Sequence, residues 1–380
     1  MISSLSIHPK HYYHLQTFKQ ELSRVFEQNW IFVGFKDDLS KNNDFITITI
    51  GNTPVVVQNF NGQLSALLNI CSHRKATLQQ DVRGNRPLRC PYHCWSYKSD
   101  GVLSGVPQNR TDFGLDETEK KHLALKQFAL DMCGELIFVR VTDTGTSLTE
   151  FLGPYFNILQ RISTDFTDRV QEGSYLWNTN WKIACETVLE VYHVAGTHPE
   201  TFANFAKAEC EIEYFNGHTT GNTPLQDATH KWWAGARKHL KLEQHPDYKD
   251  YNHFFIYPNL AIGLTNGSLM SLQTYDPIDP THTKLNYQLR MIKRSSGKAT
   301  SEAVKMAVNI NFTQFNHTIL EEDRVVAESC QENMARSNTP GLLGKCEDRI
   351  RHFHNEWRLE LDELDELDEL DELLEGQSNV

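Results

Sequence analysis

The stretch CSHRKATLQQDVRGNRPLRCPYHCW, residues 71–95, constrains this chain more than any other. It carries two Cys–His pairs, Cys71-x-His73 and Cys90-x-x-His93, with sixteen residues between His73 and Cys90. Thiolate sulfur and imidazole nitrogen bind zinc or iron, so residue type alone leaves the metal open. The flanks are more specific. Gly84, Asn85 and Pro87 punctuate the connector, and Pro91, Gly101 and Pro107 surround the second pair, so both pairs are expected on loop tips. Upstream, TITIGNTPVVVQNF (47–60) alternates apolar and polar residues about Gly51-Asn52, which predicts a β-hairpin. Two loops on a β framework therefore present the four ligands.

A structural zinc site is normally one four-ligand centre built from like pairs two to five residues apart. Here each arm mixes one Cys with one His. That division suits a Rieske [2Fe–2S] cluster, in which two Cys hold one iron and two His the other. Cys71 and Cys90 would take the first iron, and His73 and His93 the second. The pattern Cys-x-His-x16-Cys-x-x-His, followed by Trp95 and Gly101, resembles the Rieske domain of the ring-hydroxylating oxygenase family. Cys94 departs from the family, which usually has a small residue, often Gly, after the second His. With four ligands already supplied, Cys94 is expected to be a packed or partly exposed thiol.

The second constellation is NWKIACETVLEVYHVAGTHPETF, residues 180–202. Read as one helix, it sets Glu186, Glu190 and His193 on a single face. Ile183, Val188, Leu189 and Val191 cover the other sides, so this helix is expected to be buried nearly all round. Carboxylates and a His are costly there unless paired or bound to metal. His198 lies five residues beyond His193, about 140° around an ideal helix. Both reach one metal only if the helix loosens, which Gly196 and Pro199 favour. Residues 301–335 read as one long helix with an apolar stripe through Val308, Phe312, Phe315, Ile319, Val326 and Cys330. Asp323 falls on that stripe, where an acid wants a cation.

Trp181-Lys182, with Glu186, Glu190, Tyr192, His193 and His198, resembles the catalytic segment of the same family, and the Glu-Asp-Arg around Asp323 is similar to its carboxylate segment. The resemblance implies that His193, His198 and Asp323 hold a mononuclear Fe(II), with Glu322 the alternative carboxylate. Two-His-one-carboxylate sites grip iron by one face and leave the others open for oxygen. It also implies that Glu190, where most of the family has Asp, bridges His193 and the cluster ligand His93 across a subunit contact. Glu at this place resembles the branch that oxidises quaternary ammonium compounds.

The implied fold is α+β. An all-β Rieske domain (40–150) follows a helical N-terminal segment (1–39, helix Leu15 to Trp30). It precedes a catalytic domain (170–355) whose antiparallel sheet wraps around long helices, and an acidic tail (356–380). FFIYPNLAIGL (254–264) and SLMSLQTYDPI (268–278) are its clearest strand signals. The formal net charge is −12, and residues 356–375 hold eleven acids and one Arg, so most of the imbalance is local. The repeat LDELDELDELDEL (361–373) reads as a solvated acidic helix or a frayed end. No basic face indicates nucleic acid, no run is long enough for a membrane span, and the N-terminus lacks a signal-peptide core. The eight Cys show no disulfide framework, so a cytoplasmic setting is expected.

The activity implied is that of an oxygenase component using O2 against a small organic substrate. No Gly-x-Gly-x-x-Gly follows a strand, so a separate NAD(P)H-dependent reductase of flavin or ferredoxin type would supply electrons. The resemblance further implies a homotrimer. Trp232, Trp233, Tyr251, Phe254, Phe255 and Tyr257 could cage a quaternary or N-methylated amine or line a pocket for an aromatic or alicyclic substrate. The competing classes are a Rieske-type electron carrier and a zinc-stabilised binding protein.

Overall fold

The computed structural model describes residues 4–293 and 302–361. Two compact units form: residues 1–20 with 165–380, and 21–164.

The unit of residues 21–164 is built on one antiparallel sheet. Its strands run in the order Ile31–Phe35, Leu136–Arg140, Gln127–Cys133, Gln63–Leu68, Thr53–Phe60, Asp44–Ile50 and Arg83–Asn85. The strand Ile31–Phe35 lies before position 40 yet pairs with Leu136–Arg140 in this sheet. The expected hairpin is present: Ile50 pairs with Thr53 across Gly51-Asn52. Gly51 adopts φ +60 and packs against Leu22 O, where a Cβ would come within 2.4 Å, so only Gly fits. The core gathers Phe45, Val56, Leu67, Leu88, Trp95, Tyr97 and Leu103 around Cys71 and Cys90.

The unit containing residues 165–361 holds a second seven-stranded antiparallel sheet. Its order is Asp168–Trp177, His282–Met291, Leu269–Asp279, Leu260–Thr265, Tyr251–Ile256, His218–Thr223 and Glu211–Phe215. Helices Trp181–Glu186, Glu302–Met334 and Asp348–Glu360 accompany it, the α+β composition expected. The run 254–264 proves to be two strands. Pro258 cannot extend a ladder, and a turn at Tyr257-Pro258 folds Tyr251–Ile256 back on Leu260–Thr265.

The helices differ from expectation in three places. The segment 180–202 is not one helix: Trp181–Glu186 ends at Thr187, and a four-residue helix, Val194–Thr197, follows a turn region. Beyond the first helix burial is uneven: Leu189 and His198 are buried, whereas Tyr192 is 70% exposed. Leu15 to Trp30 is helical only as Leu15–Glu21 with a π turn, Leu22–Phe26. The long helix is present, but its buried face runs through Phe312, Leu320, Asp323, Ala327 and Gln331. Val326 and Cys330 face outward, because spacings of three and four select Leu320 and Ala327 as the neighbours of Asp323. Val308 and the acidic repeat beyond Leu361 lie outside the described residues.

Candidate metal centres and the substrate pocket

The two Cys–His arms are folded alike. Cys71 N–H donates to Ala76 O (2.8 Å) and Lys75 N–H back to Cys71 O (3.0 Å). Cys90 N–H donates to Trp95 O (2.8 Å) and Cys94 N–H back to Cys90 O (3.0 Å). Each turn closes through a left-handed residue, Lys75 at φ 62 and Cys94 at φ 61. That accounts for the departure at Cys94: the backbone there suits Gly, and a Cβ costs about 1–2 kcal/mol. Cys94→Gly should therefore raise stability by about 0.5–1 kcal/mol after the looser unfolded chain is allowed for. Thermal unfolding of cluster-loaded protein checks this, and loss of the cluster colour would make Cys94 a ligand instead.

Cys71 and Cys90 are buried, and the rings of His73 and His93 meet at 4.7 Å. His73 stacks on Trp95 at 4.5 Å, and His93 on Tyr92 at 3.7 Å. Both Nδ1 atoms are buried without a hydrogen-bond partner. Two orphaned imidazole nitrogens beside two buried thiols are the donor set that a mixed-ligand [2Fe–2S] cluster requires. The Tyr97 hydroxyl lies 3.1 Å from Cys71 Sγ and accepts from Ser72 N–H. Burial and the bond to Cys71 push its pKa up, so it remains a donor to the sulfur. Nothing in the Cys/His spacing announced Tyr97.

In the other unit, ligand atoms of His193, His198 and Asp323 all lie within 4.8 Å of one another. The small helix Val194–Thr197 does this. His193 precedes its start in helical conformation, His198 leaves the helix at its end with φ −119 and ψ 43, and the two rings meet at 5.1 Å. The helix itself stays intact between them, with Thr197 N–H on His193 O. Asp323 Oδ1 stands 2.9 Å from His198 Nε2 and 3.5 Å from His193 Nε2. The opposite nitrogens are taken by other acids. His193 Nδ1 bonds Glu190 Oε1, and His198 Nδ1 donates to Glu322 Oε2 at 2.6 Å. Thr201 Oγ1 donates to the same Glu322 oxygen at 2.7 Å.

Each imidazole is thus oriented by one carboxylate while turning its other nitrogen to Asp323, the outer-partner arrangement of histidine metal sites. Glu190 also accepts from His193 N–H at 3.0 Å. Glu186 is not part of the site. The break after its helix turns it away, and it accepts from Tyr12 Oη at 2.7 Å and lies 2.9 Å from His354 Nε2.

Burial opposes a charge on His193, but Asp323 and Glu190 outweigh it and lift its pKa to about 9. His198 is raised as well, against burial, by Asp323 and Glu322, while Asp323 is held low by both His in spite of burial. A cation entering the site must therefore displace a proton at neutral pH. Iron uptake by metal-depleted protein should release protons. Its apparent affinity should climb with pH and level off near 9, as an anaerobic titration at several pH values would show.

These residues line a pocket with about 730 Å³ of atom-free space. Its floor is one face of the sheet, where Gly221, His253, Gly263 and Ser271 are successive cross-strand neighbours. Of the six aromatics expected to form a cage, only Tyr251 lines it, joined by Phe202. Phe254 alternates to the opposite face and Phe255 packs on Phe353. Tyr257 reaches Glu360, and Trp232 and Trp233 line a separate cavity with Phe312 and Phe315. The six aromatics therefore form no single cage.

The family described as ring hydroxylating alpha subunit (catalytic domain) matches residues 165–363, and the Rieske [2Fe-2S] domain matches residues 29–129. The chain belongs to the ring-hydroxylating alpha-subunit family. It is a Rieske oxygenase, of a family that uses a [2Fe–2S] cluster, mononuclear iron and O2, needs a reductase partner and is multimeric. The 2-aminobenzenesulfonate 2,3-dioxygenase alpha subunit of Alcaligenes sp is 25% identical over 374 residues, covering 91% of each chain. The glycine betaine monooxygenase oxygenase subunit of Chromohalobacter salexigens is 32% identical over 187 residues, 49% of this chain and 41% of that protein. The fold matches the quaternary ammonium Rieske monooxygenase CntA with a TM-score of 0.77 at 19% identity, over 94% of this chain and 95% of that one. No helix among the described residues is long and apolar enough to cross a membrane.

Proposed function

We propose that this chain is a terminal oxygenase that oxidises a small organic substrate at an iron held by His193, His198 and Asp323. The observation that carries this reading is the pair of imidazoles oriented by Glu190 and Glu322 with both Nε2 atoms turned to Asp323. Cys71, Cys90, His73 and His93 hold the cluster, which delivers electrons singly. Iron bound at the second site would supply the O2 chemistry. Glu190 fixes His193 from Nδ1 and is the residue through which the cluster ligand His93 of a neighbouring subunit would connect. A homotrimer provides that contact, a separate NAD(P)H-dependent reductase of flavin or ferredoxin type provides the electrons, and the working compartment is the cytoplasm.

The substrate reading is an N-methylated or quaternary amine. It is supported by Glu190, by the similarity to the glycine betaine monooxygenase oxygenase subunit, and by the acidic and aromatic lining from Glu190, Phe202 and Tyr251. Hydroxylation of an arene is the second reading, favoured by the longer match to 2-aminobenzenesulfonate 2,3-dioxygenase. Two measurements test the assignment. Loaded protein should contain about three irons per chain, two in the cluster and one in the second site, whereas an electron carrier would hold two. Purified alone it should not oxidise NADH. A chain that does so would carry its own reductase activity and end the two-component reading.

A further inference from the structure

The pocket beside His193, His198 and Asp323 holds two polar side chains that the oxygenase reading does not use. Tyr251 and His253 alternate onto one face of the strand Tyr251–Ile256, and both line the pocket. Arg349 settles the tautomer of His253. A guanidinium only donates, and an Arg349 Nη lies 2.8 Å from His253 Nδ1, so Nδ1 is the acceptor and carries no proton. Burial and the Arg349 charge hold the His253 pKa well below its ordinary value, so the ring is neutral and its one proton sits on Nε2. That Nε2–H has no acceptor among the described residues.

The Tyr251 hydroxyl is in the same state. It has no hydrogen-bond partner among the described residues, and burial pushes its pKa up to about 12, so it keeps its proton at neutral pH. Two glycines make room for the arrangement. His253 pairs with Gly221 on one side and with Gly263 on the other. A Cβ at Gly221 would come within 2.9 Å of Arg349 Nη1, so that glycine admits the group that fixes the tautomer. A Cβ at Gly263 would come within 2.9 Å of Tyr251 Oη, so the hydroxyl leans over the residue paired with His253. The nearby acids are engaged elsewhere: Glu190 accepts from His193 N–H, and Asp323 faces the two metal-site imidazoles. Donors left unmet in a buried pocket favour a ligand that brings an acceptor.

We propose that Tyr251 Oη–H and His253 Nε2–H together bind an oxygen acceptor of the substrate, so that the enzyme selects small organic molecules bearing a carbonyl or carboxylate oxygen. What happens to that substrate rests on the oxygenase reading, but recognition is measured separately from turnover. Tyr251 and His253 are specificity residues here, and Gly263 is the space that lets the hydroxyl in.

The test pairs each acceptor with an isostere that lacks the oxygen: acetophenone with 2-phenylpropene, and glycine betaine with propyltrimethylammonium. Binding is read by calorimetry and thermal shift on the iron-loaded protein, and turnover separately by O2 uptake. At least one acceptor should bind about tenfold or more tightly than its isostere. The ketone and carboxylate arms show which oxygen the pair prefers. Tyr251→Phe removes only the hydroxyl, so the acceptor/isostere ratio should fall about three- to tenfold with stability unchanged. His253→Leu should lower the ratio as far, and His253→Gln, whose amide can still donate, should restore part of it. Gly263→Ala, which crowds the hydroxyl, should weaken acceptors and spare isosteres.

Acceptors that bind the wild type no better than their isosteres overturn the proposal. So does a ratio unchanged in both Tyr251→Phe and His253→Leu, since the two side chains would then only wall the pocket. A ratio that falls as expected, with no O2 uptake on any probe by protein holding about three irons per chain, would count against the oxygenase reading and leave the donor pair standing.

Discussion

His193→Ala should leave a protein with its cluster absorbance intact, about two irons per chain, and turnover reduced by more than about a hundredfold. The magnitude follows from the site: partners that merely orient a metal-ligating His are worth about ten- to a hundredfold, and His193 would be a ligand itself. His193 is suited to the test because its side chain is 21% exposed, against 3% for His198, so its removal leaves little cavity. Its loss also frees Glu190 and leaves Asp323 facing His198 alone. Glu190→Gln provides the contrast. It should keep both metals and slow turnover, because the bond to His193 Nδ1 survives without the charge. Iron analysis and the visible spectrum separate the two variants. Full iron and full turnover in His193→Ala would remove His193 from the ligand set.

Lys182→Ala should cost about 3–5 kcal/mol of stability in the unit that holds the mononuclear site. Lys182 is fully buried, and its Nζ donates to His11 O at 3.0 Å. Three rings surround it, Tyr12 at 5.1 Å, Trp181 at 5.4 Å and Trp357 at 5.5 Å. Desolvated cation–π contacts reach about 2 kcal/mol each, though they do not add in full. Truncation also opens a cavity the length of the stem. The same cage joins three distant segments: the turn Pro9–Tyr12, the helix Trp181–Glu186 and the helix Asp348–Glu360. Tyr12 and His354 then hold Glu186 at the point where the chain breaks toward Glu190 and His193. Lys182→Met, which keeps the stem and loses the charge, should cost less than half as much. Chemical denaturation with iron content read in parallel checks both variants, and an alanine variant within 1 kcal/mol of wild type would reduce the cage to packing.

The candidate metal centres were legible in the sequence because ligand chemistry is local. Cys71, His73, Cys90 and His93 declare themselves by residue type and by the loops they occupy. Asp323 is an acid at a buried helical position even though the stripe first drawn through Val326 and Cys330 was turned out of register. What failed was reasoning that assumed regular structure. A single helix over 180–202 placed Glu186 beside Glu190, whereas the observed break sends them to different partners. The same helix made His193 and His198 hard to bring together, yet their positions at the two ends of Val194–Thr197 solve the geometry without unwinding it.

The pocket was read least well. Six aromatics close in sequence suggested one cage, but strand alternation, the turn at Tyr257-Pro258 and burial on the opposite face leave only Tyr251 in place. Arg349 also lines the pocket, yet it lies more than a hundred residues from His198 and carries no motif, so nothing short of the fold could put it there. The sequence by itself determined the family and the two candidate donor sets, because those depend on which atoms can bond a metal at short spacing. Only the tertiary structure decided which carboxylate orients which imidazole, that Glu322 serves His198 while Asp323 faces both rings, and which side chains line the pocket. Those choices depend on which face of each strand and helix turns inward, and that is settled by packing across the whole chain.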